Sequence, residues 1–569
     1  MSEHRHVNPW IIALSVMFAT FMEVLDTTVV NVSLPHIAGN LSATVDEATW
    51  ALTSYLVANA IILPMTGWLA GVFGRKRLLM ASITGFTVAS LLCGLAPTLG
   101  TLVVFRIIQG TTGGALQPLS QAVLLESFQP HERGKAMAFW ALGIVVAPII
   151  GPVLGGWLTD SYSWRWVFYI NLPVGIVSLL MVRQFLFDPP YIKHRAGRGI
   201  DYFGIGLLAV GIGALQFVLD KGQEDDWFSS RLIVTLMIVA VVAIVWLLIH
   251  EWRADDPVVD LHVFRERSYA VGVVLMTVVG FVLYGSMVLL PVMLQTLLGY
   301  PPMQAGIAMA PRGIGSFCMM PIVGILTGRF DPRKLLATGL AVGGLTMWWL
   351  GHLNLQAGYW DVFWPQLIQG VAMALLFVPL TTVTMDSIKP ERMGNATSLF
   401  NLMRNIGGSV GIAATGTMLA RRSQAYTAVI GAHVTGYAPE TQSMMAQMTA
   451  AFVAAGADVV TAAHRAQAAM FGMVQRQAVG AVLGENLSAY DVQTQTLLAQ
   501  MKAGFMARGA DAVTATERAY AALHGMLLQQ ASMVSFVWLF RLLGGIFLML
   551  LPLILIMRRP KGRVAAPAH

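Results

Sequence analysis

Three ionisable residues lie inside long apolar stretches of the sequence, where charges are rare. Glu23 and Asp26 are three positions apart, so they share one face of a helix, and Arg106 lies in a later apolar segment. An arginine that faces one carboxylate would keep it ionised, while a second carboxylate one turn away, repelled and desolvated, would favour its protonated form. Such a pair could bind a proton on one side of a membrane and release it on the other.

The alternative is a static buried ion pair that only orients helices. A charge at the centre of a membrane helix costs about 2.5–3.5 kcal/mol on insertion scales, so it is a functional candidate by default. Two carboxylates for one arginine leave a negative charge that a purely structural pair would not need. We therefore favour a proton-coupling role for Glu23, Asp26 and Arg106.

Weaker candidates, which could line a substrate path, are Asn31, Gln109, Arg312 and Gln366. The amides could instead form hydrogen bonds between helices, and Arg312 could snorkel or satisfy helix-end carbonyls. For Arg404, close to the end of its segment, we favour snorkelling or bonding to helix-end carbonyls over a place on the path. The sequence has no Walker loop and no Cys/His metal spacing. It therefore predicts no enzyme, no cofactor and no metal, and an ion gradient in place of ATP.

The composition indicates an all-α polytopic membrane protein. Of the 569 residues 56% are hydrophobic and 11% are charged, against roughly 25% charged in soluble domains. A helical span needs about 20 mostly apolar residues. Fourteen segments qualify, approximately 10–34, 48–70, 78–97, 101–126, 135–159, 165–187, 200–220, 231–251, 269–293, 303–326, 335–354, 360–386, 395–420 and 532–557.

Lys and Arg cluster in alternate loops, which sets the predicted orientation. One set of loops carries basic runs such as 75–77, whereas the alternate set is neutral or acidic, as at 224–226. Because basic loops stay in the cytoplasm, both termini are predicted to be cytoplasmic. The net charge of +7 is largely this topology signal, and nucleic-acid binding would explain it poorly.

An internal repeat relates the two ends of the chain. Segment 67–76 recurs at 324–334, 106–110 at 366–370, and 132–133 at 391–392. The copies lie about 260 residues apart, which is typical of parallel repeats in transporters. The repeat predicts two six-helix halves, 1–199 and 253–569, separated by two extra spans at 200–252.

A second, local repeat lies between the last two spans. Residues 441–478 align without gaps onto 494–531, with more than half of the positions identical. This pattern predicts a duplicated helical hairpin within an insertion at 421–530, which the topology places outside the cytoplasm. It could be an inert loop or a helical platform for an extracytoplasmic partner, because long amphipathic helices usually bury one face.

The apolar segment 147–156 contains two prolines and three glycines. They are Pro148, Gly151, Pro152, Gly155 and Gly156. Proline removes a backbone donor and glycine lets another helix approach closely, so the segment predicts a bent helix pressed against a partner. Its counterpart at 407–416 matches Gly151 and Gly156 with Gly411 and Gly416 but has no prolines.

These motifs resemble the fourteen-span drug/proton antiporters of the major facilitator superfamily, and in particular the EmrB-type inner-membrane pumps. The motifs that carry the resemblance are 25–35, 106–110, 147–156 and 164–175. The resemblance implies that Asp26 and Arg106 carry proton coupling and that the span-five motif shapes the gate between the halves. It also implies an EmrA-like periplasmic adaptor and an outer-membrane TolC-like channel as partners, beside drugs, protons and membrane lipids.

A further motif of this superfamily lies at the second cytoplasmic loop, here with Gly67, Gly74, Arg75 and Lys76. At position 71 the chain has Gly where the family usually has an Asp. The charged contact that the family makes through that Asp is therefore not expected in this chain.

The resemblance implies a multi-pass protein of the bacterial inner membrane with a periplasmic 421–530 segment. Its expected function is proton-driven multidrug efflux by alternating access. One alternative is export of a single endogenous metabolite, siderophore or lipid. A more remote one is a transporter-like receptor or scaffold in which the helical insertion is the active part.

Overall fold

The computed structural model describes residues 8–188, 201–254, 257–432, 492–507 and 511–557, and within these ranges every regular element is a helix. The predicted all-α class is therefore confirmed. In chain order the helices are α1 Pro9–Asn40, α2 Val45–Ala48, α3 Trp50–Phe73, α4 Arg75–Leu95, α5 Leu99–Gly113, α6 Leu116–Ser127, α7 Arg133–Ser161, α8 Trp166–Tyr169, α9 Asn171–Phe185, α10 Tyr202–Lys221, α11 Arg231–Arg253, α12 Arg267–Thr296, α13 Pro302–Arg329, α14 Pro332–Leu350, α15 Tyr359–Asp386, α16 Met393–Ala432, α17 Val492–Ala507 and α18 Ala512–Met549.

The long helices correspond to the predicted spans. In the described part of the chain, 11 helical segments are long and apolar enough to cross a membrane, or 12 if the bent α7 counts as one span. Two further helices, α14 and α16, lie where the eleventh and thirteenth spans are predicted. Together they account for all fourteen predicted positions.

Local sequence signals set several helix ends. Thr44 and Glu47 form a capping box at the start of α2, and Thr98 caps α5 in the same way. Gly74 adopts a φ of 84°, a backbone conformation that favours glycine, and so separates α3 from α4 with a single residue. This turn holds the start of α4 directly against the end of α3.

The helices pack as two groups. In the first helix group, α1–α9, α1 packs against α7 and α9, and α4 packs against α5 and α9. In the second helix group, α12–α16 with α18, α12 packs against α16, and α15 against α13 and α14. Helices α10 and α11 pair with each other, and α10 also contacts α3 and α16. The predicted division at residues 199 and 252 remains a prediction.

The two groups meet through α7 with α13, and through α3 and α6 with α16. Gly134 and Gly324 bring the backbones of α7 and α13 together, with the Cβ position of Gly324 3.1 Å from the Gly134 carbonyl oxygen. Thr397 of α16 donates to the Pro118 carbonyl of α6 at 3.1 Å. These contacts lie toward the end of the bundle that carries the basic loops.

The insertion predicted at 421–530 is only partly described. Helix α16 runs past residue 421, where the insertion is predicted to start, and ends at Ala432, and α17 covers the start of the second repeat copy. The final helix of that copy runs without a break into the last span, as α18. Residues 433–491 and 508–510, which include the whole first copy at 441–478, lie outside the described residues.

Candidate functional site

A fully buried cluster surrounds Asp26 in the first helix group. Its Oδ2 accepts a hydrogen bond from Arg106 Nη1 at 2.5 Å. Its Oδ1 accepts from Gln109 Nε2 at 2.9 Å and from Asn171 Nδ2 at 2.8 Å. Asp26 and Arg106 are both 0% exposed. The structure thus joins the carboxylate of α1 to α5 and α9, and brings together the two residues whose pairing the sequence predicts.

Arg106 is held by more than its ion pair. Its Nε donates to the Ala51 carbonyl at 2.9 Å, and its Nη1 also donates to Gln109 Oε1 at 2.8 Å. The guanidinium carbon lies 4.2 Å from the centre of the Tyr55 ring, within the range of a cation–π interaction. Because a desolvated charge must be compensated locally, this cluster stabilises the ionised pair in the interior.

Glu23 lies apart from this ion pair. Its Oε1 accepts a hydrogen bond from Asn59 Nδ2 at 3.0 Å, and the residue is 5% exposed. Within the described ranges, its Oε2 has no hydrogen-bond partner. The two carboxylates predicted on one face of α1 therefore have different surroundings, one paired with arginine and one with an amide.

Arg404 belongs to the interface between the two helix groups. It is 4% exposed, and its Nη2 donates to the Gln117 side chain on α6. Gln117 and Arg404 also lie within electrostatic reach of the Glu23 carboxyl group. The interpretation of Arg404 as a snorkelling residue is wrong, because the guanidinium turns inward to a partner on the first helix group.

The glycines of the span-five motif press α7 onto α1. A Cβ at Gly151 would overlap the Thr28 side chain, and one at Gly155 would lie 3.0 Å from the Val29 carbonyl oxygen. Both α1 residues follow Asp26 within one turn. The predicted bend is present, since α7 turns by 42° between Pro148 and Val153.

Two expectations for this motif need correction. Its close contact is with α1 of the same helix group, whereas α7 reaches the second helix group through residues nearer its start, such as Gly134. Gly156 and its counterpart Gly416 both face open space, so the match between them marks no helix contact. Gly411 does match Gly151, because a Cβ there would overlap the Phe281 carbonyl of α12.

The loop motif at the basic end holds charges within the first helix group. Arg75 forms a buried ion pair with Glu126 of α6. The Lys76 backbone amide donates to Asp188 Oδ1 at 2.8 Å, and its ammonium group donates to the Arg183 carbonyl at 2.7 Å. The loop is therefore fixed by charge although Gly71 stands where the family has an Asp. Gly67 has no room for a Cβ against the backbone of α16.

Arg312 presents the opposite situation to Arg106. It is 7% exposed on α13, and its side chain makes no hydrogen bond or ion pair within the described part of the chain. Neither snorkelling nor capping of helix-end carbonyls is seen. By contrast, Arg165 satisfies the carbonyls of Gly94 and Ala96, each at 2.8 Å.

The three amide candidates differ in their environments. Gln109 is 0% exposed and its Nε2 donates to Asp26 of α1, which confirms the expected hydrogen bond between helices, whereas its place on a substrate path stays a prediction. Gln366 donates to Gln369 Oε1 on its own helix at 3.1 Å, which is not the expected bond between helices. Asn31 is exposed on α1, which leaves it as a path candidate.

Sequence reasoning missed several residues of the cluster. Asn171 is a direct partner of Asp26 and also donates to Ser90 Oγ at 3.0 Å. It lies within the segment 164–175, which was recognised as a motif without a role for this residue. Tyr55 and Asn59, which contact Arg106 and Glu23, carry no sequence signal beyond being polar groups in an apolar helix.

A small cavity lies between the two helix groups, among α7, α13 and α15. Its volume is about 30 Å³, and its apolar lining includes Met137, Trp140, Met320 and Phe377. A drug-sized ligand needs roughly 300 Å³ or more. This cavity is therefore too small to hold such a ligand.

Comparison with known proteins identifies the family. The sequence profile of the Major Facilitator Superfamily matches residues 16–412. The chain belongs to the major facilitator superfamily. Within that superfamily it is 41% identical over 440 residues to the multidrug export protein EmrB of Escherichia coli K12, covering 77% of this chain and 85% of the relative.

Other relatives of the same kind cover as much of the chain. EmrB of Haemophilus influenzae is 42% identical over 441 residues, covering 77% of this chain and 86% of its own. The fatty acid resistance protein FarB of Neisseria gonorrhoeae is 41% identical over 443 residues, with the same coverage. The chain is therefore an EmrB-type member of the major facilitator superfamily.

Solved structures agree on the fold. The human organic anion transporter MFSD10 superposes with a TM-score of 0.54 at 13% identity, covering 73% of this chain and 94% of its own. The proton:xylose symporter XylE gives 0.53 at 17% identity, covering 73% and 90%. With its many apolar helices, this major facilitator protein is a multi-pass inner-membrane protein of a transporter family whose members typically use ion gradients and no cofactor.

Proposed function

We propose that this chain is a proton-driven multidrug efflux antiporter that exports hydrophobic or amphipathic toxic compounds by alternating access. The observation that carries the proposal is the fully buried Asp26, which pairs with Arg106 on a neighbouring helix. Protonation of Asp26 would remove half of this ion pair and weaken its hydrogen bonds, so the proton can change how α1 is held.

The span-five motif supplies a route from protonation to movement. Gly151 and Gly155 pack against Thr28 and Val29, next to Asp26 on α1. A shift of α1 would therefore act directly on α7, which also forms the contact with α13 at the basic end. We assign Pro148, Gly151, Pro152 and Gly155 to this gating role, and we leave out Gly156, which faces open space.

Glu23 is the second proton-coupling residue in this proposal. Its carboxyl group lies next to Gln117, whose side chain binds Arg404 of the second helix group. Ionised Glu23 would attract that arginine, and protonated Glu23 would not, so its charge can favour or disfavour the contact between the groups. Ionisation of Glu23 therefore favours contact between the two helix groups at the basic end.

The loop charges support the topology that we propose, and the resemblance to EmrB-type pumps supports the partners. We place both termini in the cytoplasm, so the groups are in contact on the cytoplasmic side, and we place 421–530 in the periplasm. The chain would work as the inner-membrane component of a tripartite pump with an EmrA-like adaptor and a TolC-like channel. Deleting 474–526, one repeat unit, should reduce adaptor co-purification and resistance. Unchanged values for both would remove the insertion from the adaptor contact.

A second candidate function is export of a single endogenous metabolite, siderophore or lipid. The name of the relative FarB, a fatty acid resistance protein, favours a fatty acid as such a compound. Competition with a panel of unrelated drugs separates the two functions. Several chemically unrelated competitors support multidrug efflux, and competition by one compound class alone supports the alternative.

The direct test is dye efflux from membrane vesicles. Wild-type efflux should collapse when a protonophore removes the gradient, and Asp26→Asn should lose it while being made in normal amounts. The matched control is Asp46→Asn, a carboxylate at the exposed start of α2. Efflux that survives both the protonophore and Asp26→Asn would contradict the proposal.

A further inference from the structure

The second helix group holds a buried cation whose counter-charge is absent from the described residues. Arg312 is 7% exposed near the middle of α13, and its side chain has neither a hydrogen bond nor an ion pair within those ranges. A desolvated charge without a partner is unfavourable, and ionisable groups at membrane depth mark binding sites or pathways. An arginine kept there for structure alone would be expected to bond carbonyls, as Arg165 does.

A second unsatisfied polar group lies at the same level. Gly370 of α15 packs against the Arg312 carbonyl, and Ser316 donates to the Gly370 carbonyl at 2.8 Å. Side chains on a helix lean toward its N-terminus, which brings the Arg312 guanidinium toward the level of Gln366, one turn before Gly370. Gln366 Oε1 is also buried without a hydrogen-bond partner in the part of the chain described.

The surroundings of these two groups are apolar. Buried residues of the neighbouring turns include Ala308 on α13 and Val362 on α15, both 0% exposed. A small hydrated anion would lose its water here with little compensation. An amphipathic anion would instead supply a charge for the guanidinium and an apolar body for the helix surfaces.

We infer that Arg312 and Gln366 form a binding site for amphipathic organic anions, with Arg312 bound to the ligand's carboxylate or similar acidic group. This site deepens the proposed function, on which it rests, by assigning a charged substrate class to the second helix group. Substrate and proton then occupy separate helix groups, with the anion at Arg312 and the proton at Asp26. The same acidic chemistry occurs on anionic phospholipids, so the test must distinguish a substrate from a lipid headgroup.

The test is binding to the full-length protein in an uncharged maltoside detergent. The probes are laurate, its neutral analogue dodecanol and the cation dodecyltrimethylammonium. We expect wild type to prefer laurate over dodecanol, and Arg312→Gln to weaken laurate binding about tenfold or more. Dodecanol and the cation should bind both proteins alike. Arg312→Lys should recover part of the laurate affinity, and Arg231→Gln, which removes an exposed arginine at the start of α11, should have no effect.

Each outcome decides the inference. Laurate affinity within twofold of wild type in folded Arg312→Gln would overturn it. If that variant does not fold, wild type alone decides, because equal binding of laurate and dodecanol would also overturn it. Binding of phosphatidylglycerol that needs Arg312, together with laurate binding that does not, would identify a lipid site instead.

The failure of this inference can be told apart from failure of the proposed function. Asp26→Asn should still prefer laurate although it no longer transports. Loss of the laurate preference with intact proton-driven dye efflux would remove the anion site alone. Retained preference without any proton-driven efflux would remove the antiporter function alone.

Discussion

The polar interiors of the two helix groups differ although the groups are related by a repeat. In the first, Arg106 binds Asp26, Gln109 and a backbone carbonyl. At the repeat position in the second, Gln366 replaces Arg106, and Ser286 stands about 260 residues after Asp26 and bonds within its own helix. The second group keeps one buried charge, Arg312, without a partner in the described residues.

The comparison separates two uses of a buried arginine. Arg106 is compensated by the protein itself, so it can hold a carboxylate that gains and loses a proton. Arg312 is left for a ligand to compensate. The two helix groups therefore share close glycine contacts, as at Gly151 and Gly411, whereas the buried ion pair of Asp26 and Arg106 lies in the first group.

The largest expected effect comes from Arg106→Gln. It leaves the Asp26 carboxylate buried without its cation, which should destabilise the protein by about 3–5 kcal/mol and abolish transport. The measurement is the melting temperature in detergent together with vesicle efflux. The double variant Asp26→Asn with Arg106→Gln should regain most of the stability but no transport. Normal stability of the single variant would contradict the pairing.

Gly151→Leu should come next, because the new side chain would overlap Thr28 beside Asp26. We expect efflux to fall about tenfold or more, with overpacking costing about 1–3 kcal/mol. Gly156→Leu is the matched control, since a Cβ there meets open space, and it should retain efflux. Similar losses of efflux in both variants would attribute the effect to added side-chain volume in α7 and would contradict a specific role of the contact with α1.

Arg312→Gln should behave opposite to Arg106→Gln. Removing a buried charge without a protein partner should leave the stability unchanged or raise it by about 1 kcal/mol or more. Melting curves of the two glutamine variants, recorded side by side without ligand, test this contrast. A destabilisation of Arg312→Gln comparable to that of Arg106→Gln would indicate that the protein does compensate Arg312.

A smaller loss than that of Arg106→Gln is expected from Asn171→Ala, which removes one of three donors to Asp26. The loss should be about 1–2 kcal/mol, with efflux reduced but not abolished. Ser90→Ala, which removes only the hydroxyl that Asn171 also bonds, is the milder control. An Asn171→Ala variant as inactive as Arg106→Gln would make Asn171 an equal member of the proton site.

Sequence alone predicted the charged pair and the fold better than the surrounding contacts. Charges in apolar helices are few, so Asp26 and Arg106 had few alternative partners, and apolar length located the spans. Amides are common and short-ranged, and periodicity does not fix how a helix is rotated against its neighbours. For this reason Asn171 was overlooked, and Arg404 was expected to turn outward.

The glycine motif shows the same limit. Its composition predicted a bend and a close contact, and both are present in α7. The identity of the contacting helix depends on tertiary packing, so α1 could not be distinguished from a helix of the other group. Equal glycine positions at 156 and 416 also could not reveal that neither of them touches a helix.

The central claim, that Asp26 exchanges a proton against a drug, is tested most directly by proton release on drug binding in weakly buffered detergent solution. Wild type should release protons when drug is added, Asp26→Asn should release fewer or none, and Glu23→Gln should show a partial decrease. The anion probe bound at Arg312 gives an internal comparison, because its binding should not require Asp26. Absence of proton release from wild type that binds drug would contradict the account.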